Sequence, residues 1–223
     1  MERSIPLSQK LYLLGIHPEK GGIISSAFTA MDYIILGSLF LELYQAKNIR
    51  FDNKRIVVLT MKTKNGLHKF LMEKLNKSQK QLKISRWINK LHFSMKYIRQ
   101  EVQQGLVDER IIRMEQKRFL FFKWKKPVII NKQIVFQLTG ELESQIFKGT
   151  KVEDELLVLS FIKPGGLLKR LFPEKQKRKQ AQQRLKQMLV ENQLSAAVAD
   201  AISAANAVTA SIAVSAAVSS SAS

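Results

Sequence analysis

The sequence predicts a mainly α-helical protein, a single compact helical domain carrying one or two short β-hairpins in winged-helix-like arrangement. Three observations lead there. Apolar residues recur at helical spacing through most of the chain. One stretch, 25–46, is apolar on every side, as a helix at the centre of a core would be. Twice, at 25–61 and 85–124, a helical pattern is followed by β-branched or aromatic runs suited to a hairpin. With 223 residues and 45% apolar content, the chain has enough material for one well-cored domain spanning 1–223.

Each element follows from local chemistry. Leu7–Ile16 has helical spacing and stops near His17-Pro18; Glu19-Lys20-Gly21-Gly22 reads as a turn. In 25–46, Met31, Ile34, Ile35, Leu36, Leu39, Phe40, Leu41 and Leu43 crowd all sides. Asp52-Asn53-Lys54 then separates Ile49–Phe51 from Ile56–Thr60, a short hairpin. Leu67–Leu75 is a helix with a basic outer face. Ser85 is positioned to cap one long helix bearing Trp87, Ile88, Leu91, Met95, Ile98 and Val102, which ends near Gly105. Arg110–Met114 and Arg118–Trp124 read as strands joined by the polar trio Glu115-Gln116-Lys117. Helices are expected over 132–148 and 152–162, a break at Lys163-Pro164-Gly165-Gly166, and a basic helix over 174–192. The Ala-rich stretch 195–218 reads as a final core helix, with 219–223 a frayed Ser-rich end.

Charge narrows the partners. Net charge is +19, from 37 Lys and Arg against 18 Asp and Glu. Residues 62–99 hold eleven basic residues and one acid, and 163–186 hold nine and one, so these two stretches carry nearly the whole excess. The partner should be anionic: acidic lipid, nucleic acid or an acidic protein segment. No cysteine is present, which removes disulfides and thiolate metal sites. The opening residues lack the basic start and long apolar core of a signal peptide. The most apolar stretch, Ile23–Tyr44, contains Asp32 and Glu42 and so reads as a buried helix, not a membrane span. The expectation is a cytoplasmic protein whose membrane contact is peripheral, on the cytoplasmic face.

Catalytic apparatus is not visible. His17, His68 and His92 have no metal-ligand spacing, and no phosphate-loop, dinucleotide or nucleophile-elbow pattern occurs, so no catalytic residue, metal or cofactor is expected. Gly21-Gly22 and Gly165-Gly166 read as turns, with a backbone anion nest the alternative at the second. The sharper signal is Lys117-Arg-Phe-Leu-Phe-Phe-Lys-Trp-Lys-Lys126, half basic and half large apolar. Lys117, Arg118 and Lys123 give it a basic surface. Strand alternation puts Leu120, Phe122 and Trp124 on one face and Phe119, Phe121 and Lys123 on the other. Phe119 and Leu120, beside the turn, are the candidates for membrane insertion; Phe122 and Trp124 are expected to hold the hairpin to the core. For Phe121 and Phe122, a strand buried on both faces is an equally good reading. On the preceding helix, Lys96 and Arg99 share a face away from the apolar stripe.

The run Leu91-His-Phe-Ser-Met-Lys-Tyr-Ile-Arg-Gln-Glu-Val-Gln-Gln-Gly-Leu-Val-Asp-Glu-Arg-Ile-Ile112, followed by Lys117-Arg-Phe-Leu-Phe-Phe122, resembles the Golgi phosphoprotein 3 family. Ile84-Ser-Arg-Trp-Ile-Asn-Lys-Leu91, Leu7-Ser-Gln-Lys-Leu-Tyr-Leu-Leu-Gly15 and Leu39-Phe-Leu-Glu-Leu43 resemble its other helices. The resemblance rests on order and spacing over nearly the whole chain. It implies a helical domain with a hairpin that binds membranes through phosphatidylinositol 4-phosphate, using an aromatic and three basic residues in a headgroup pocket and a hairpin tip that enters the bilayer. Two of the basic positions correspond to Lys96 and Arg99, and the tip to Phe119 and Leu120. The third basic position falls on Leu36, and the pocket tryptophan falls near Ala27, with Phe28 adjacent. The basic coat-binding extension of eukaryotic members is lacking, so a bacterial-type member is expected.

The leading expectation is therefore a non-catalytic peripheral membrane protein that binds anionic phospholipid. Protein cargo or self-association is a further partner class, with the basic run 175–186 as one surface for an acidic segment. The alternative is a winged-helix-like nucleic-acid binder, which draws on the same charge. Against it, Phe-Leu-Phe-Phe stands where phosphate contact would want small polar and basic side chains.

Overall fold

A computed structural model describes residues 5–191, apart from 54, 79 and 150–152. The expected helix over 195–218 and the end at 219–223 lie outside the described residues. Among the described residues helices dominate, and the sheet content is two separate two-stranded antiparallel hairpins, so the mainly α class holds.

At the centre stands α2 (Met31–Gln45), whose residues 34–43 are all buried. Its apolar residues encircle it, so it needs neighbours on every side. α1 (Leu7–Gly15), α4 (Ile84–His92) and α5 (Met95–Asp108) pack around it, and α7 (Glu153–Ile162) closes on α1. A 3-10 turn at Ser25–Ala27 precedes α2, so the helix starts six residues later than its composition suggests. Gly166 sets that turn in place: Ser26 Oγ donates to the Gly166 carbonyl at 2.8 Å. Gly166 has φ of 68°, and a Cβ there would meet the Ser26 carbonyl. Gly165-Gly166 is therefore a packing turn against the 3-10 segment.

The first hairpin is as expected, β1 (Ile49–Asp52) against β2 (Arg55–Val58) with Ile49 opposite Val58. Asn53 takes φ of 47°, a conformation that Asn tolerates. α3 (Gly66–Asn76) is capped by Asn65, whose side chain accepts from the His68 amide.

The long helix expected from Ser85 to Gly105 is two helices. α4 begins at Ile84, after Lys83, and Ser85 is not its cap. The Ile56 amide donates to the Leu82 carbonyl, and Lys83 bridges Arg55, so the chain is extended right up to Ile84. The break before α5 falls at Phe93-Ser94. After α5 comes the second hairpin, β3 (Ile112–Phe119) against β4 (Phe122–Ile129). α6 (Lys132–Lys148), a short α8 (Leu168–Leu171) and the basic α9 (Lys175–Glu191) complete the described chain. Gly149, with φ of 72°, ends α6 in the usual left-handed manner.

Candidate membrane-facing site

The second hairpin is where sequence expectation and structure part most. Glu115-Gln116-Lys117 is not a turn but the middle of β3, paired with Lys126, Lys125 and Trp124. The turn is Leu120-Phe121, between the facing pair Phe119 and Phe122. Cross-strand partners share a face. One face of the hairpin therefore runs outward through Lys117 with Trp124 to Phe119 with Phe122; the other runs through Gln116 with Lys125 to Arg118 with Lys123. Among the described residues the anchoring lies at the base: Ile112 and Ile129 are buried, and Met114 with Pro127 lies beside them on the same face.

Beyond that base the hairpin projects from the domain. Phe121 is 93% exposed, Phe122 72%, and Phe119 and Leu120 66% each. Trp124 is about half exposed. The expectation that Phe122 and Trp124 pin the hairpin to the core is wrong, and so is a strand buried on both faces. Among the described residues, no layer of the domain lies over either face at this distance from the base. The result is an amphipathic tip: five large apolar side chains, with Arg118, Lys123 and Lys125 behind them. Leu120 has φ of 51°, an uncommon state for a bulky residue. Arg118 Nε donates to its carbonyl at 3.2 Å and holds the turn. Strained backbone capped by exposed apolar side chains is unlike an ordinary hairpin tip, where Asn-Gly or Asp-Gly is expected.

Charge along the hairpin is arranged by Glu115. Arg113 approaches its carboxylate to 2.6 Å and Lys117 to 3.1 Å. Hydrogen bonds from Arg113, then Lys117, hold that carboxyl below its usual range. Lys117, expected as a free basic contact, is thus drawn back to Glu115, while Arg118 and Lys123 make no ion pair among the described residues.

The base of the hairpin is tied to the loop that leads into α2. The Gly22 amide donates to the Pro127 carbonyl at 2.8 Å, and Lys126 Nζ donates to the Lys20 carbonyl. His17 organises that loop, its Nδ1 accepting from the amides of Glu19 and Lys20. Gly21 has φ of 66°, and a Cβ there would lie 2.6 Å from the Pro127 carbonyl oxygen. Gly21→Ala should therefore loosen the hairpin's footing at a cost of about 1–3 kcal/mol. Thermal unfolding should show a lower Tm; an unchanged Tm would mean that the loop does not hold the hairpin.

A second cluster lies at the start of α2. Both carboxylate oxygens of Asp32, in its first turn, accept from one nitrogen of Arg99 of α5, Nη2, at 2.6 and 2.8 Å. Below it, Gln103 donates to the Tyr12 hydroxyl at 2.5 Å. Burial raises the Tyr12 pKa, and the Gln103 hydrogen bond only partly offsets it. Lys96 is exposed one turn before Arg99, and Phe28 is 75% exposed one turn before Asp32. Leu36 and Ala27 are both buried in the core, so neither offers a group to a ligand. The cluster is thus less basic than the resemblance implies, since Asp32 neutralises Arg99. Asp32 is the residue that sequence reasoning missed: it marked the stretch as no membrane span, but its partner stands 67 positions away.

Among the described residues no group of three or more His, Cys, Asp or Glu could hold a metal ion, and no helix is long and apolar enough to cross a membrane. No curated protein matches the chain significantly. The family model for Golgi phosphoprotein 3 (GPP34) matches residues 7–205, and the chain belongs to that family.

Proposed function

We propose that the protein is a non-catalytic peripheral membrane protein that binds anionic bilayers with the tip of its second hairpin. The observation that carries this reading is the tip itself, where Phe119, Leu120, Phe121 and Phe122 stand in solvent with Arg118, Lys123 and Lys125 behind them. An anionic interface suits both halves. Each cation near such a surface contributes about 1 kcal/mol. Each inserted side chain contributes roughly 1.5–3 kcal/mol at most. Three cations and two inserted side chains give about 6–9 kcal/mol, in the region of micromolar affinity. A duplex would offer nothing to the four exposed apolar side chains, which weighs against nucleic acid.

The candidate lipid is phosphatidylinositol 4-phosphate, which the sequence resemblance implies. On this chain the headgroup cluster retains Lys96 and Phe28, with Arg99 shared by Asp32 and no cation at Leu36, so general anionic attraction carries more of the binding. Vesicle sedimentation tests this. Binding to phosphatidylserine vesicles should fall as salt rises, leaving an apolar remainder. At matched surface charge, phosphatidylinositol 4-phosphate should exceed phosphatidylserine by no more than a few-fold. A hundredfold preference would restore a specific headgroup pocket. Failure to bind any anionic vesicle, with a steep salt dependence on duplex DNA instead, would sink the membrane reading.

A further inference from the structure

We infer that the second hairpin lies along the membrane interface on one of its faces, with Trp124 against lipid, and does not enter the bilayer end-on. The inference rests on the membrane reading above and concerns which side chains meet the bilayer. Counting from the turn, Phe119 with Phe122 is the first row of the ribbon, Arg118 with Lys123 the second and Lys117 with Trp124 the third. Alternate rows share a face. Phe119, Phe122 and Trp124 therefore form one apolar face, all exposed, and Arg118, Lys123 and Lys125 stand on the opposite one.

The one cation within the apolar face is drawn away from it. Lys117 stands opposite Trp124, but its ammonium reaches back to Glu115, in the next row of that face toward the base. Its methylene stem remains beside the indole ring, as a lysine at an apolar boundary is expected to lie. The group Arg113, Glu115 and Lys117 marks where the apolar face ends. Among the described residues Arg118, Lys123 and Lys125 make no ion pair, so the basic face keeps its charge for the lipid phosphates.

End-on entry meets two obstacles. Rows are about 3.3 Å apart, so Arg118 and Lys123 follow Phe119 and Phe122 closely. An upright ribbon that buries both rings brings both cations to the hydrocarbon boundary, where charge is costly. The second obstacle is the backbone. The ribbon has two strands only, and among the described residues the Gly22 amide on Pro127 is the one backbone contact on either outer edge. Open strand edges are not tolerated in hydrocarbon. Lying on its apolar face, the ribbon sinks three rings while its edges stay among hydrated headgroups. Arg118, Lys123 and Lys125 then sit at the level of the phosphates, as the basic side of an interfacial amphipathic helix does. Tryptophan suits that depth, with an apolar ring and an N–H that wants a polar partner.

Trp124 is its own reporter, because the other tryptophan, Trp87, is buried in the core. Vesicles of phosphatidylcholine and phosphatidylserine in equal parts should shift the Trp124 emission to the blue. Bromines placed high on the acyl chains should quench it more than bromines near the chain ends. Trp124→Ala should weaken vesicle sedimentation about tenfold and leave the Tm in place. Trp124→Phe keeps a ring in the contact, so it should sediment nearly as the parent does while losing the emission change. If vesicles sediment the protein but its emission does not move, or the deeper bromines quench more, or Trp124→Ala binds as the parent does, the ribbon does not lie on this face and the inference falls alone. If no anionic vesicle sediments the protein, the membrane reading falls and takes this inference with it.

Discussion

Phe121→Asp combined with Phe122→Asp should release the protein from anionic vesicles, lowering affinity by a hundredfold or more, while its unfolding midpoint stays put. Both side chains stand largely in solvent, so replacing them removes no packing from the fold. On a membrane the same change loses the insertion of two rings, worth roughly 3–6 kcal/mol together. It also places two carboxylates against a negative surface, where the residual attraction of Arg118, Lys123 and Lys125 must work against them. A loss of about 3 kcal/mol already amounts to more than a hundredfold in affinity. Vesicle sedimentation beside a thermal melt separates the two quantities. If the double variant binds vesicles as the parent does, the tip does not insert, and attraction must come from the basic helices alone. Phe119→Asp with Leu120→Asp should act in the same direction, but Leu120 also shapes the turn, so its melt is the less clean control.

The fold was readable where local chemistry and tertiary packing agree. α2 is legible because a helix apolar on all sides has only one stable place, and the first hairpin because Asp52-Asn53-Lys54 supplies turn residues. The second hairpin misleads for the converse reason. Leu120-Phe121 has no turn chemistry, whereas Glu115-Gln116-Lys117 looks like a loop. In the folded chain that polar trio is paired across the hairpin, with Lys126 opposite Glu115, and the apolar pair is forced to the end. Moving the turn by four or five residues also moves Phe119 onto the face of Phe122 and Trp124.

The break between α4 and α5 is hidden by a continuous period. Trp87, Ile88, Leu91, Met95, Ile98 and Val102 stay in phase across Phe93-Ser94, and all six are buried. Nothing in that stripe announces two helices; the exposed Phe93 is the only local sign, and a single exposed aromatic is ordinary. The Arg99–Asp32 pair is beyond reach in another way. Its partners are 67 positions apart, and neither residue's local sequence names the other. The resemblance located Lys96 and Arg99, but only the fold shows that one of them already has a carboxylate.

Glu42→Ala should destabilise the protein by about 3 kcal/mol, an effect that exposed charges on this basic surface do not approach. Glu42 sits within α2 with its side chain only 9% exposed. Its Oε1 accepts from the Ser8 amide at 2.6 Å, and its Oε2 lies 2.7 Å from His68 Nε2. The first contact supplies what α1 lacks at its own start: Pro6 stands at the N-cap and provides no side-chain acceptor. A carboxylate at a helix N-terminus also meets the positive end of the helix dipole. The second contact ties α3 to the same group, so one side chain joins three helices. Truncation leaves the Ser8 amide and the His68 ring, both largely buried, without their acceptor. Glu42→Gln keeps one oxygen for Ser8 and should cost less, roughly 1–2 kcal/mol. Urea unfolding of Glu42→Ala, His68→Ala and the double variant measures the coupling directly. Additive losses would mean that the Glu42–His68 contact contributes nothing. A coupling of about 1 kcal/mol or more would place the join between α2 and α3 in that one pair, leaving the remainder of the Glu42→Ala loss to the start of α1.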